Sequence, residues 1–384
     1  MSPRTSPPFR ADHVGSLLRP PELRQARDDY AAGTITAGQL RAAEDAAIRG
    51  AVALQQDVGL RSVTDGEFRR HSWHMDFIYQ IGGIQKVPGH LLSKFRNADG
   101  TIEFTPDAIH VSRRVTMDKT IFGEDFAFLR SIAGELSSPG GTPPDPLVPK
   151  LTIPAPSMVH YRSGLSAVID ESVYPDPEQF WTDVSAAYAQ EVRRLGDLGC
   201  AYLQIDDTSL AYLNDPAQRE YISERGEDAE HMHLRYISLI NDAVKDKPAG
   251  MAIATHMCRG NYRSSWVASG GYDFVAEAMF NELDVDGFFL EYDDERSGGF
   301  EPLRFVPKGK HVVLGLVTTK RPELETKDAL KRRIDEAAKY VPLDQLCLSG
   351  QCGFSSTVEG NALTLDDEIA KLRLIVETAG EVWG

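Results

Sequence analysis

Short apolar runs alternate with amphipathic segments along most of the chain. From about residue 150 onward, each pair of segments spans roughly 30 to 45 residues, which is typical of a strand followed by a helix. The apolar runs are 10–17, 60–67, 150–156, 201–207, 250–256, 286–291, 311–317 and 345–350. Helical periodicity marks the intervening segments, among them 176–199, 231–246, 327–341 and 365–380.

Eight strands that alternate with helices predict a parallel sheet, and eight is the number that closes into a (β/α)₈ barrel. An open doubly wound sheet would be expected to carry a glycine-rich phosphate turn after its first strand, and this chain shows none there. Residues 84–149 break the repeat with a hairpin-like pattern at 91–117 and a Pro/Gly-rich loop at 137–146. We therefore predict an α/β fold, with one catalytic TIM barrel over 1–384 and an insertion at 84–149, after strand 2.

The composition of the chain indicates which classes of binding partner it is suited to. The chain has a formal net charge of −16, with 42% hydrophobic and 26% charged residues. A surplus of acidic groups without a basic stripe disfavours nucleic acid, and no apolar run is long enough to cross a bilayer. The N-terminal stretch lacks the apolar core of a secretory signal, which predicts a cytoplasmic protein with reduced thiols. We expect small-molecule substrates, and the sequence allows a homo-oligomer.

Two of the four cysteines lie next to other potential metal ligands. His256 and Cys258 are two residues apart at the end of an apolar run, so on a strand their side chains point to the same face. A buried histidine beside a core cysteine would explain this pair alone. Glu291 and Cys352 lie at the ends of two further strands, and in a barrel such ends meet at one rim. The set His256, Cys258, Glu291 and Cys352 predicts a zinc site.

Two thiolates and a carboxylate make a site better suited to activating a thiol than to activating water. Zinc lowers a thiol pKa, so a bound substrate would be a thiolate at neutral pH. Because a carboxylate is the most easily displaced ligand, Glu291 is predicted to weaken or leave when that sulfur binds. Other strand ends carry acids, hydroxyls and a histidine, which are His13, Ser16, Asp65, Glu67, Asp206 and Asp207. Each alone could be a helix cap or rim residue, and together they could hold an amino acid.

Several motifs, in order, resemble the catalytic barrel of cobalamin-independent methionine synthase, a zinc enzyme that methylates homocysteine. They are "ADHVGSLLRP", "TDGEFRR", "LQIDD", "HMCRGNY", "LDVDGFFLE" and "GQCGFSS", and the resemblance runs over almost the whole chain. It implies the same four zinc ligands, with homocysteine held by Ser16, Glu67 and Asp206. It also implies methyl transfer to the zinc-bound thiolate from 5-methyltetrahydrofolate or another donor. The length is similar to that of the short, single-barrel relatives.

The chain departs from this pattern after strand 7. The synthases have a catalytic histidine there, whereas "GLVTTKRPELET" places Lys320. A methyl donor of the tertiary-amine type needs its leaving nitrogen protonated. Candidates for that step are Lys320, His13, His71 and His74, and we favour Lys320 and His13. Trp73 and Tyr161 could stack on a flat donor, although core packing would also explain them.

Two other functions stay open at this stage. A zinc-dependent alkyltransferase for another thiol or an epoxide, as in epoxyalkane:coenzyme M transferase, would recruit arginines for a sulfonate, and Arg19, Arg69 and Arg70 are candidates. A non-catalytic barrel with a structural zinc would have a closed ligand sphere and no cavity.

Overall fold

The computed structural model describes residues 4–89, 93–97, 100–137, 146–161 and 164–384. The strands are β1 Ser62–Val63, β2 Gly82–Val87, β3 Ser93–Asn97, β4 Gly100–Phe104, β5 Ala108–Thr116, β6 Val148–Pro154, β7 Tyr202–Asp207, β8 Ala252–Met257, β9 Gly287–Glu291, β10 His311–Val317 and β11 Leu346–Gly350. The α-helices are α1 Pro21–Ala31, α2 Ala37–Asp57, α3 Met75–Ile78, α4 Gly123–Leu136, α5 Leu165–Val168, α6 Pro177–Asp197, α7 Ser209–Tyr212, α8 Pro216–Ser223, α9 Met232–Val244, α10 Ala276–Glu282, α11 Lys327–Ala337 and α12 Leu365–Trp383. Short 3₁₀ helices cover Pro156–Val159, Glu295–Ser297, Glu301–Phe305 and Leu343–Gln345.

The main sheet has seven parallel strands in the order β1-β6-β7-β8-β9-β10-β11. The N-terminal segment lies between its two edges. On one side the Asp12 amide donates to the Leu348 carbonyl of β11 at 3.0 Å, and on the other the Leu17 amide donates to the Gly66 carbonyl beyond β1 at 3.1 Å. The predicted α/β barrel-type fold is therefore confirmed.

The first two predicted strands are much shorter than the pattern suggested. Run 10–17 forms only a parallel bridge from Ala11 to Leu348, and run 60–67 contributes two strand residues, in β1. Side chains replace much of the missing backbone pairing: Thr64 Oγ1 donates to the Gly15 carbonyl at 2.6 Å, and Ser62 Oγ donates to Asp12 Oδ1 at 2.7 Å. The prediction of two full strands was wrong because polar side chains compete with the backbone hydrogen bonds of a β-sheet in these segments.

The region that interrupts the repeat contains two antiparallel pairs. β2 pairs with β5, and the short β3 pairs with β4. The second pair supplies a hairpin inside the predicted 91–117 segment, and α4 then leads back toward β6. Most of the predicted Pro/Gly loop at 137–146 lies outside the described residues, as do 90–92 and 98–99 within the hairpin region.

Local sequence signals explain where the long helices begin. Asp176 accepts from the Glu178 amide and Pro177 occupies the first turn of α6, whose apolar face is buried. Thr36 with Gln39 and Thr364 with Asp367 form reciprocal capping boxes at α2 and α12. Among the described residues, no helix is both long enough and apolar enough to pass through a bilayer.

The interior of the barrel is partly polar. A small apolar cluster, which includes Cys347, Tyr202 and Phe289, is contributed by the N-terminal segment and the strands. Beside it the fully buried Lys150 Nζ lies 3.1 Å from Asp12 Oδ1 and 3.1 Å from Gln204 Oε1. A buried cation is tolerated here because it is paired and hydrogen-bonded.

Candidate functional site

The carboxyl ends of the parallel strands bring the predicted ligands together. His256 is the penultimate residue of β8 and pairs in register with Asp206 of β7 and Phe289 of β9. Cys258 follows β8 by one residue, and Cys352 follows β11 by two. These are the positions at which barrel enzymes place their chemistry.

Three buried side chains form a compact cluster, which we call the His-Cys-Cys cluster: His256, Cys258 and Cys352. Their potential ligand atoms all lie within 4.8 Å of one another, and the two sulfurs are 3.4 Å apart. Bonds of about 2.0–2.3 Å to a tetrahedral zinc ion require ligand atoms at about this spacing. Neither ring nitrogen of His256 has a hydrogen-bond partner among the described residues. The cluster therefore fits a zinc ion.

The two thiols of the cluster are electrostatically different. The hydrogen bond from Cys258 lowers the pKa of the Cys352 thiol, helped by His256 and by Lys320. The same hydrogen bond raises the pKa of Cys258. Burial opposes the charged form of His256, but the neighbouring Cys352 outweighs it and raises the pKa of the imidazole. Both shifts favour the charged forms of Cys352 and His256, and a metal ion bound by the thiolate would take the place of the proton on the imidazole.

Glu291, the fourth predicted ligand, falls outside this close group. Its Oε1 lies 2.6 Å from Arg296 Nη2 and 3.6 Å from Lys320 Nζ, and its Oε2 accepts from the Arg259 amide at 3.0 Å. Burial alone would raise the pKa of this carboxyl, but the two cations lower it to about 2. Glu291 is therefore a carboxylate engaged by cations at the side of the cluster.

Lys320, a predicted catalytic residue, is buried beside the same carboxylate. Its Nζ has no hydrogen-bond partner among the described residues, and Glu291 and Asp293 raise its pKa against the effect of burial. His13, the second catalytic candidate, points toward the barrel interior, with Nε2 3.3 Å from the Ser62 carbonyl. Burial and the nearby Lys150 lower its pKa to about 3, so its imidazole is neutral at pH 7.

The three predicted substrate-binding residues line one cavity together with the His-Cys-Cys cluster. This cavity has a volume of about 620 Å³, and Ser16, Glu67 and Asp206 all contribute to its wall. It also reaches His71, His74, Trp73 and Tyr161. Lys320, Glu291 and His13 are not part of the lining.

Glu67 is held in an unusual backbone conformation. Its φ of +60° lies in the left-handed region, which a residue with a Cβ seldom adopts. The Asp65 side chain accepts from the Glu67 amide at 2.8 Å, and Arg19 donates to its carbonyl at 2.9 Å. Its Oε1 accepts from Thr152 Oγ1 at 2.7 Å, while Oε2 has no partner among the described residues. Such strain is common at functional positions.

Asp206 and Ser16 are also positioned by neighbours. Asp206 Oδ1 accepts from Gln204 Nε2 at 2.7 Å, and burial raises the pKa of its carboxyl to about 7. Ser16 packs closely against Gly353, the residue after Cys352, and the Phe354 amide donates to the Ser16 carbonyl at 2.9 Å. The segment that carries Cys352 is thereby fixed to the segment that carries Ser16.

Two positioning residues were missed in the sequence. Arg296 is five positions after Glu291 in an acidic loop, "EYDDERSGG", where a lone arginine among carboxylates was the available signal. Gln204 precedes Asp206 by two on β7, so its side chain lies on the same face and could have been assigned by alternation. Its amide joins Asp206 to the buried Lys150.

A histidine and two cysteines at the carboxyl ends of the strands make this a barrel protein with a cluster that could hold a metal ion. Residues 148–381 match the family described as cobalamin-independent synthase, catalytic domain. The chain belongs to this family, which relates it to methionine synthase-like methyltransferases.

Relatives of similar length share most of the chain. The uncharacterized protein YxjH of Bacillus subtilis is 45% identical over 378 residues, which cover 98% of this chain and 95% of that protein. A Listeria monocytogenes protein, provisionally named a vitamin-B12 independent methionine synthase, superposes with a TM-score of 0.76 at 36% identity. That match covers 99% of this chain and 100% of the Listeria chain.

A longer relative carries a functional name. The 5-methyltetrahydropteroyltriglutamate–homocysteine methyltransferase of Bacillus velezensis is 23% identical over 382 residues, which cover 95% of this chain but 42% of that enzyme. The chain thus spans less than half of this relative.

Proposed function

We propose that this protein is a zinc-dependent methyltransferase that moves a methyl group from 5-methyltetrahydrofolate, or another methyl donor, to the thiol of homocysteine to give methionine. The observation that carries the proposal is the shared cavity: the His-Cys-Cys cluster and three polar groups suited to an amino acid line the same space. Family membership and the name of the longer relative support the same reaction.

The residues of the cavity fit an amino-acid thiol. Asp206 and Glu67 offer carboxylate oxygens to an ammonium group. Burial raises the pKa of Asp206, and a substrate ammonium group bound beside it would lower that pKa again, because an opposite charge favours the carboxylate. Ser16 Oγ offers a hydroxyl to the substrate carboxylate. Held in this way, the thiol end of homocysteine would point toward Cys258 and Cys352, which line the same cavity.

His256, Cys258 and Cys352 would hold the zinc ion. When bound, the zinc supplies a lowered pKa to the substrate thiol, so that a thiolate nucleophile exists at neutral pH. Glu291 is engaged by Arg296 and Lys320, so a zinc ion held by the other three residues would be able to take the substrate sulfur as a further ligand. This arrangement supports a displaceable or outer role for Glu291.

We propose that Lys320 or His13 protonates the leaving nitrogen of the methyl donor. Lys320 carries its proton at neutral pH because the Glu291 carboxylate stabilises the ammonium group. The neutral imidazole of His13 would have to take up a proton before donating one. Lys320 is therefore the stronger of the two candidates.

The arginines that a sulfonate would need have other partners. Arg69 pairs with Asp45 and Asp125, and its ring contact is with Phe128. Arg19 donates to the Glu67 and Arg70 carbonyls, and Arg70 donates to the Thr152 carbonyl. The geometry thus favours an amino-acid thiol over a sulfonate thiol.

A substrate panel tests the proposal. Zinc-loaded protein is incubated with homocysteine, cysteine or 2-mercaptoethanesulfonate, each with 5-methyltetrahydrofolate or methylcobalamin, and methylated products are measured by mass spectrometry. Methionine as the dominant product is the expected result. A methylated sulfonate as the main product, or no product from any pair, would overturn the assignment.

A further inference from the structure

Lys150, on β6, lies in the interior of the barrel with its side chain fully buried. Its Nζ faces three oxygen acceptors, which are Asp12 Oδ1 at 3.1 Å, Gln204 Oε1 at 3.1 Å and the His13 carbonyl. Three acceptors around one nitrogen match the three protons of an ammonium group. Burial lowers the pKa of this lysine, and the Asp12 carboxylate acts against that shift. Neither the His-Cys-Cys cluster nor the amino-acid site accounts for a cation placed here.

The Gln204 amide connects this cation to the substrate site. Its oxygen accepts from Lys150, while Nε2 donates to the Val14 carbonyl at 2.7 Å and to Asp206 Oδ1 at 2.7 Å. In the reverse orientation, the amide oxygen would face a carbonyl and a carboxylate, and the amide NH₂ group would face the ammonium group. All three contacts would then be repulsive. The buried cation therefore favours the orientation in which the amide donates to Asp206.

The alternation of side chains along two paired strands produces this arrangement. Gln204 and Asp206 are two residues apart on β7 and point to the same face, with Asp206 near the end of the strand and on the cavity wall. Lys150 and Thr152 have the same relationship on the neighbouring β6, and Thr152 Oγ1 donates to Glu67 Oε1 at 2.7 Å. Inward-facing side chains of β6 thus support both carboxylates of the proposed amino-acid site, one directly and one through an amide.

The same cation also holds the segment that carries Ser16. Lys150 donates to the His13 carbonyl and Gln204 donates to the Val14 carbonyl, three and two residues before Ser16. Ser16 lines the cavity, whereas Lys150 and Gln204 are not part of its lining. A substitution at Lys150 therefore reaches the substrate site only through other residues.

Resting on the proposed function, we propose that Lys150 and Gln204 position Asp206, the carboxylate that binds the substrate ammonium group. We call these two residues the lysine–glutamine relay. The relay holds Asp206 Oδ1 from inside the barrel and keeps the carboxylate in the orientation in which it meets the ammonium group, and the cation polarises the amide between them. Its effect is specific to thiols that carry an amino group, because a thiol without one makes no charge contact with Asp206.

Homocysteine binding without turnover tests the relay. Zinc-loaded wild type, Lys150→Met and Gln204→Met are titrated calorimetrically with homocysteine and with 4-mercaptobutanoate, which is homocysteine without its amino group. Both variants should raise the Kd for homocysteine at least about fivefold and leave the Kd for 4-mercaptobutanoate within about twofold of wild type. Lys371→Met, which removes a fully buried lysine paired with Glu325, is the matched control and should change neither Kd.

Two further variants separate positioning from folding. Lys150→Met leaves the Asp12 carboxylate buried without its cation, which is destabilising. Lys150→Met/Asp12→Asn removes both charges, so it should recover the thermal midpoint but not the affinity for homocysteine. In an Asp206→Asn background, Lys150→Met should change the homocysteine Kd by no more than about twofold, because the carboxylate on which the relay acts is absent.

The outcomes that overturn the inference differ from those that overturn the proposed function. The relay is excluded by wild-type homocysteine affinity in Gln204→Met or Lys150→Met/Asp12→Asn, by an equal rise in Kd for both thiols, or by an undiminished effect of Lys150→Met in the Asp206→Asn background. Absence of homocysteine binding by wild type would exclude it too. Homocysteine binding by wild type that forms no methionine would contradict the proposed reaction and not the relay.

Discussion

Lys320 Nζ lies 3.6 Å from Glu291 Oε1, and both side chains are buried. Arg296, on the loop that follows Glu291 and β9, reaches the same carboxylate oxygen at 2.6 Å. Two cations on one carboxylate keep Glu291 ionised and hold it to the side of the His-Cys-Cys cluster. Lys320, at the position where the sequence resemblance leads us to expect a histidine, thus has an electrostatic partner.

Replacing Lys320 should therefore affect both stability and activity. Lys320→Met removes one of two cations from a buried carboxylate, which should lower the free energy of unfolding by about 1–3 kcal/mol and reduce kcat. Lys320→Arg keeps the charge and should retain more of both. Urea unfolding and steady-state kinetics measure the effects, with the exposed Lys339→Met as control. A Lys320→Met enzyme with wild-type kcat would exclude a catalytic role.

Asp206 should contribute to homocysteine affinity. Asp206→Asn removes the negative charge while keeping the size of the side chain, so loss of a charge-assisted hydrogen bond should raise the KM for homocysteine about tenfold to a hundredfold. Zinc content and donor Kd should not change. Kinetics at varied homocysteine are compared with Asp197→Asn, an exposed carboxylate on α6. An unaltered KM would remove Asp206 from the substrate site.

Gly353 should tolerate no side chain. A Cβ at this position would collide with Ser16 Oγ, and both residues lie in closely hydrogen-bonded segments. Gly353→Ala should displace Ser16 or Cys352. This should lower kcat/KM by at least about tenfold, because small displacements of active-site groups misalign the reacting atoms. Gly380→Ala, on α12, is the control, because its Cβ would meet nothing within 4 Å. Wild-type kinetics in Gly353→Ala would show that the segment can adjust.

The buried carboxyl of Glu368 should make stability depend on pH. Burial raises its pKa to about 8, while its Oε2 accepts from the Leu18 amide at 2.7 Å. The folded protein then binds a proton that the unfolded chain loses near pH 4.3, so this contribution is complete below that pH and is lost as pH rises through 8.

Glu368→Gln should flatten that decline, since a neutral amide has no proton to lose. Across pH 5 to 8 the variant should lose less unfolding free energy than wild type, with a difference of at most about 1.4 kcal/mol per pH unit. Urea denaturation at several pH values measures it, and Glu377→Gln, an exposed carboxylate on the same helix, is the control. Parallel curves for Glu368→Gln and wild type would refute the assignment.

Features that depend on sequence periodicity could be predicted from the sequence. Features that depend on the path of a loop could not. The barrel and the approach of His256 to Cys258 followed from strand alternation, and Cys352 joined them because strand ends share a rim. The placement of Glu291 by Arg296 could not be predicted, since it depends on the path of the loop after β9. The left-handed backbone of Glu67 and the near loss of the first strand depend on side-chain hydrogen bonds between distant segments.

Zinc content and homocysteine-dependent methionine formation, measured in the same preparations, test the central claim most directly. Wild type, Cys352→Ala and Cys200→Ala are compared; Cys200 is buried but lies outside the His-Cys-Cys cluster. The account predicts about one zinc per chain and methionine formation in wild type and Cys200→Ala, with loss of both in Cys352→Ala. Methionine formation by Cys352→Ala at the wild-type rate, or wild type that binds no zinc, would contradict it.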